Sequence, residues 1–140
     1  MPIDTYGGKT ILYVDGNPAF AEMAILSEFQ REGWDGVWID TYRNAFRRGY
    51  WGVPPVEHLP DAPRRLLDRV IEARDGRRRG TWDVLCWKAS GFVFAESKRR
   101  NRDRIRAGQG DFLGAALNVG VPLDSFLVVE WDIDDHVPSG

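Results

Sequence analysis

A chain of 140 residues with net charge −2, 43% hydrophobic and 29% charged, has the make-up of one globular domain with its own core, and residues 1–140 are read as a single unit. No apolar run is long enough to span a bilayer and no signal-peptide pattern is present, so a cytoplasmic protein with no membrane partner is expected. The lone Cys86 excludes an internal disulfide and reads as a buried thiol in an apolar run, while His58 and His136 are isolated and lack zinc spacing.

The near-neutral total hides an asymmetry. Between residues 96 and 106 stand six basic residues against two acidic ones, whereas residues 123–140 carry only acidic charge. A basic block of this kind suits a phosphate-binding surface, but by itself it is more often a solvated helix start.

In chain order, residues 9–15 hold the β-prone run Ile11-Leu12-Tyr13-Val14, a strand at an edge or a subunit contact. Asn17-Pro18 supplies an N-cap followed by proline at the first helical position, and Gly33 a stop, which predicts a helix with Phe20, Met23, Ala24, Leu26 and Phe29 as its apolar stripe. Residues 36–42 follow as a strand. Residues 43–80 break the sheet pattern with Arg47-Arg48, several aromatics and Val53-Pro54-Pro55, and read as an insertion containing one helix over 61–75. Leu66, Leu67, Val70 and Ile71 form that helix's buried stripe, and Gly76 ends it before Arg77-Arg78-Arg79.

Residues 82–87 and 92–98 are β-prone runs joined through Lys88-Ala89-Ser90-Gly91, a hairpin signal. Pairing Trp87 with Phe92 sets Asp83 opposite Glu96, with Cβ atoms about 5 Å apart, and alternation puts Lys98 on the same face as Glu96. Like charges directly opposite one another are destabilising. Either Lys98 and a hard divalent cation such as Mg²⁺ neutralise them, or they lie on a solvated face and pair loosely with arginines.

Asn101 caps a predicted third helix running to about residue 118, with Gly120 as its stop and Ile105, Phe112, Leu113, Ala116 and Leu117 inside. Gln109 falls among them at helical spacing and should face the sheet, where an unsatisfied amide costs about 1–3 kcal/mol. Gly108 and Gly110 flank it, as close packing on a strand would explain. Residues 126–130 form a last strand, and residues 132–140 an acidic tail. The expected fold is α/β (α+β), a central mixed sheet flanked by helices in the order α-β-(inserted α)-β-β-α-β.

Trp82-Asp83, then Glu96-Ser97-Lys98, then a helix bearing Gln109 resembles the PD-(D/E)XK nuclease superfamily of restriction-endonuclease-like fold. The likeness is greatest to its virus-type replication-repair nuclease (VRR-NUC) branch, and it runs over residues 17–131. It implies metal-binding carboxylates at Asp83 and Glu96, a backbone-carbonyl ligand at Ser97, a catalytic lysine at Lys98 and a supporting glutamine at Gln109. Glu22 is similar in placement to the glutamate of the family's first helix, with Glu28 as the alternative on the same helix. Trp82 stands where the family usually has proline, and residues 43–80 lengthen the link from the first strand to the hairpin.

What the resemblance implies is a Mg²⁺-dependent deoxyribonuclease, with Mn²⁺ as a substitute, acting in replication, repair, recombination or restriction. DNA, duplex or branched, would be the partner, held through Arg99, Arg100, Arg102 and Arg106. Two strands cut concertedly by so small a protein would require a homodimer. The alternatives are a catalytically silent nucleic-acid-binding module of the same fold, and an interaction protein built on the aromatic insertion and the acidic tail.

Overall fold

Neighbouring residues on a strand point to opposite faces of a sheet, and in three successive strands both members of such a pair are buried: Val37 with Trp38, Val84 with Leu85, Phe94 with Ala95. A sheet built from these strands must be covered on both sides. The computed structural model describes residues 5–6, 9–10, 12–14, 17–19, 21–41, 43–49, 53–99 and 104–131. Its strands are β1 (Thr5–Tyr6), β2 (Lys9–Thr10), β3 (Leu12–Val14), β4 (Asn17–Ala19), β5 (Asp35–Asp40), β6 (Ala45–Arg47), β7 (Val84–Lys88), β8 (Gly91–Arg99) and β9 (Phe126–Trp131). Its helices are α1 (Ala21–Arg31), α2 (Asp61–Ala73) and α3 (Ala107–Asn118).

The result is an α+β fold. Five strands form an open mixed sheet in the order β6-β5-β7-β8-β9, antiparallel throughout except that β8 and β9 run parallel. On one face, Ile25 and Leu26 of α1 pack with Trp38, Val84, Cys86 and Ala95. The other face carries the larger core, where Leu66, Leu67, Val70 and Ile71 of α2 and Phe112 and Ala116 of α3 meet Val37, Leu85, Phe94 and Trp82. Among the described residues, no helix is long and apolar enough to cross a membrane.

Several elements differ from the sequence expectation. The segment at Asn17-Pro18 is strand β4, paired with β3, and α1 begins only at Ala21. Asp15-Gly16, the dipeptide favoured in two-residue hairpin loops, separates these strands in sequence and outweighs the capping pattern. Residues 43–80 are more than an insertion laid on the core. Ala45–Arg47 extends the sheet as its edge strand, and the α2 stripe supplies much of the main core. The edge is secured by a buried ion pair between Arg47 Nε and Asp40 Oδ2 at 3.0 Å. Helix α3 starts at Ala107 rather than near residue 101, so Ile105 precedes it and is exposed. Asn101, Arg102 and the acidic tail over residues 132–140 lie outside the described residues.

Candidate functional site

The hairpin β7–β8 has the register counted from the sequence. Trp87 pairs with Phe92 and Val84 with Ala95, and the next step along the same ladder sets Asp83 against Glu96. Glu96 alternates with Ala95 and so lies on the face of Phe94, beneath α2 and α3, and Lys98 follows on that same face. Both are buried, Glu96 to 1% exposure and Lys98 to 8%.

Crossed hydrogen bonds hold the two carboxylates. The Asp83 backbone N–H donates to Glu96 Oε1, and the Ser97 N–H donates to Asp83 Oδ2, both at 3.0 Å. Each acid thus binds the backbone of the strand opposite, which lets like charges sit across a ladder that would otherwise push them apart. Helix α3 closes the group. Gln109 Nε2 donates to Glu96 Oε2, while Lys98 Nζ donates to Gln109 Oε1 at 2.8 Å and lies 3.2 Å from Glu96 Oε2. This amide orientation is the one the chemistry allows, since a carboxylate only accepts and an ammonium only donates. Gln109 Oε1 also accepts the Arg106 N–H at 2.9 Å, so the residue that binds the ion pair also caps the helix that carries it.

Two tryptophans brace the cluster. Trp82 is buried, packs edge-on against Phe126 at 5.0 Å between ring centroids, and donates its indole N–H to the Gln109 carbonyl at 3.0 Å. Trp131 donates its indole N–H to Ser97 Oγ at 2.8 Å on the opposite face. Sequence inspection missed both interactions. The available signal was that a buried indole N–H needs an acceptor.

Burial drives the Glu96 carboxyl above its ordinary pKa, and the nearby Lys98 charge pulls it back down, followed by hydrogen bonds from Lys98 and Asp83. Cys86 is fully buried, and desolvation, with Asp35 adding to it, pushes its thiol up to about 12, as suits a packed thiol rather than a nucleophile.

The donor set can be tested against a hard cation. A carboxylate offers about four lone-pair positions, of which three on Glu96 are used by Asp83, Gln109 and Lys98. With Asp83 alongside, two carboxylates are at hand, which is the number Mg²⁺ typically takes together with water and phosphate oxygens. Carboxylate oxygens are the donor type that Mg²⁺ or Mn²⁺ takes.

No interaction between Glu22 and this set is described. Glu22 belongs to α1, which covers the opposite face of the sheet, and among the described residues no three acidic, histidine or cysteine side chains gather to hold a metal. Glu28 is exposed and paired with Arg31 at 3.0 Å. Of the arginines expected to grip phosphate, Arg99 ends β8 with its guanidinium 5.6 Å from the centre of the Trp131 ring, and Arg106 is the exposed N-cap of α3. Arg100 and Arg102 lie outside the described residues. Asp83, Glu96, Lys98 and Gln109, separate in sequence, thus meet at one point under the start of α3. Comparison of the chain with protein-family models, curated proteins and solved structures gave no match.

Proposed function

We propose that the protein is a Mg²⁺- or Mn²⁺-dependent nuclease of restriction-endonuclease-like type that hydrolyses phosphodiester bonds in DNA. The observation that carries this is the closed circuit of Asp83, Glu96, Lys98 and Gln109. Burying a carboxylate and an ammonium is expensive, and apolar residues of similar size often serve stability as well or better. Perturbed, buried charges of this kind cluster at functional sites. The hairpin followed by α3 and β9 adds support, since it agrees with the element order that the resemblance implies.

Asp83 and Glu96 would hold the cation, with the Ser97 carbonyl as a further donor. When bound, the ion would polarise a non-bridging phosphate oxygen and lower the pKa of its water. Lys98 has two tasks. Its charge draws Glu96 toward the ionised form that a cation requires, and its protonated amine can orient the attacking water and offset charge growing on the phosphate. Gln109 keeps both partners in place by donating to one and accepting from the other, and the Trp82 bond fixes the backbone from which Gln109 reaches.

The test is incubation of plasmid, linear duplex and branched DNA with Mg²⁺ or Mn²⁺, with a chelator control and the variants Asp83→Ala and Lys98→Ala. Each variant should lose activity by about 100-fold or more, the usual scale for removing preorganised charge stabilisation. Cleavage by Asp83→Ala at the wild-type rate, or cleavage that persists in chelator, would remove the assignment. A second reading is a silent nucleic-acid-binding module, favoured by the engagement of both Glu96 oxygens within the chain. Salt-sensitive DNA binding without any turnover would select it.

A further inference from the structure

The loop after α2 carries Arg77-Arg78-Arg79, which the cluster beneath α3 does not use. Its backbone is fastened to the start of α3. Buried Arg74 donates through Nη2 to the carbonyls of both Arg79, at 2.6 Å, and Gly108, at 3.3 Å, and its Nε pairs with Asp111 at 3.0 Å. Gly80 then crosses Gly108 so closely that a Cβ on Gly80 would lie 2.5 Å from the Gly108 carbonyl. Two arginine-bearing stretches almost thirty residues apart in sequence are thereby locked at one end of α3, the end from which Gln109 reaches Lys98 and Glu96.

The charges at this junction are unevenly satisfied. Asp111 answers Arg74 and stands 3.7 Å from Arg77. Arg78, Arg79, Arg104 and Arg106 are exposed, and none has an acidic side chain within ion-pair distance among the described residues. Fixed backbones carrying unanswered guanidinium groups suit a regular polyanion, because arginine binds phosphate oxygens through a planar fork.

We infer that Arg78 and Arg79, together with Arg104 and Arg106, form one basic surface that binds the phosphate backbone of duplex DNA beside the Asp83–Glu96–Lys98 cluster. The nuclease reading supplies only the reason for a strand to pass there. The surface itself follows from the Arg74 clamp and the Gly80–Gly108 crossing. It is sequence-independent, since phosphate contacts position a duplex without reading its bases.

Fluorescence anisotropy with labelled duplex DNA in chelator, over a series of salt concentrations, tests this without turnover. Arg78→Gln/Arg79→Gln and Arg104→Gln/Arg106→Gln are compared with Arg64→Gln/Arg65→Gln, which removes equal charge from α2 elsewhere. The first two should weaken binding about tenfold and lower the salt slope by about 0.9 for each phosphate that is no longer neutralised, while the third stays near wild type. Wild-type binding by Arg78→Gln/Arg79→Gln overturns the inference, as does an equal loss in the α2 control. Capture of phosphatidylserine vesicles through these arginines, with no binding of duplex, overturns it as well. Arginine-dependent binding by a protein that cleaves nothing would leave the surface standing and remove the nuclease reading. Metal-dependent cleavage with binding indifferent to Arg78 and Arg79 would do the reverse.

Discussion

Glu96 is pulled in two directions, and the balance has a measurable sign. Burial raises its pKa and Lys98 opposes the rise, with burial the larger effect. A carboxyl whose pKa is raised in the folded state contributes stability that is full below the unfolded pKa and is lost as pH rises through the folded one. In metal-free buffer, the stability of the wild type relative to Glu96→Gln should therefore fall between mildly acidic and neutral pH. Thermal melts over that range check this, and a rising difference would mean that the lysine prevails. Lys98→Met should be destabilised by about 3 kcal/mol at neutral pH, because it leaves a buried carboxylate without its partner. The deficit should shrink in mild acid, where Glu96 can take up a proton, and denaturant titrations at the two pH values measure it.

At the scale of elements, much of the site was legible because it depends on counting. Strand alternation and a short turn fix which residues of β7 and β8 face each other, so Asp83, Glu96 and Lys98 follow from the hairpin alone. Gln109 was legible from its helical spacing to buried Phe112, whereas Ile105, the other reference point, precedes the helix and is exposed. The start of that helix was not legible, because Asn101 satisfies the rule for an N-cap while the actual boundary is set by the Gln109 side chain bonding to the Arg106 N–H. A glutamine at the third helical position was the overlooked sign. The glycines around Gln109 also divide. Gly80 holds a φ of +90° against the Gly108 backbone, so Gly80→Ala should lower the unfolding free energy by about 1–3 kcal/mol. Gly110 faces open space within α3, so Gly110→Ala should raise it by up to about 1 kcal/mol. Chemical denaturation of the two variants should move in opposite directions.

Over the whole molecule, what local pattern could not supply were the meetings between distant segments. Three residues, Ala45–Arg47, enter the sheet through pairing with β5 and the Asp40–Arg47 ion pair, and a run so short carries no periodicity of its own. Likewise, nothing in the string Arg77-Arg78-Arg79 announces that Arg74 will tie it to Gly108. The crossed bonds between β7 and β8 give the protein an internal signal of another kind. The amides of Asp83 and Ser97 each donate to the carboxylate on the facing segment, so their NMR resonances report the electron density on those two acids. A cation held by Asp83 and Glu96 should shift both amide signals together along one titration curve, in the absence of any nucleic acid. Two signals that stay still at saturating Mg²⁺ would mean that the ion is held elsewhere.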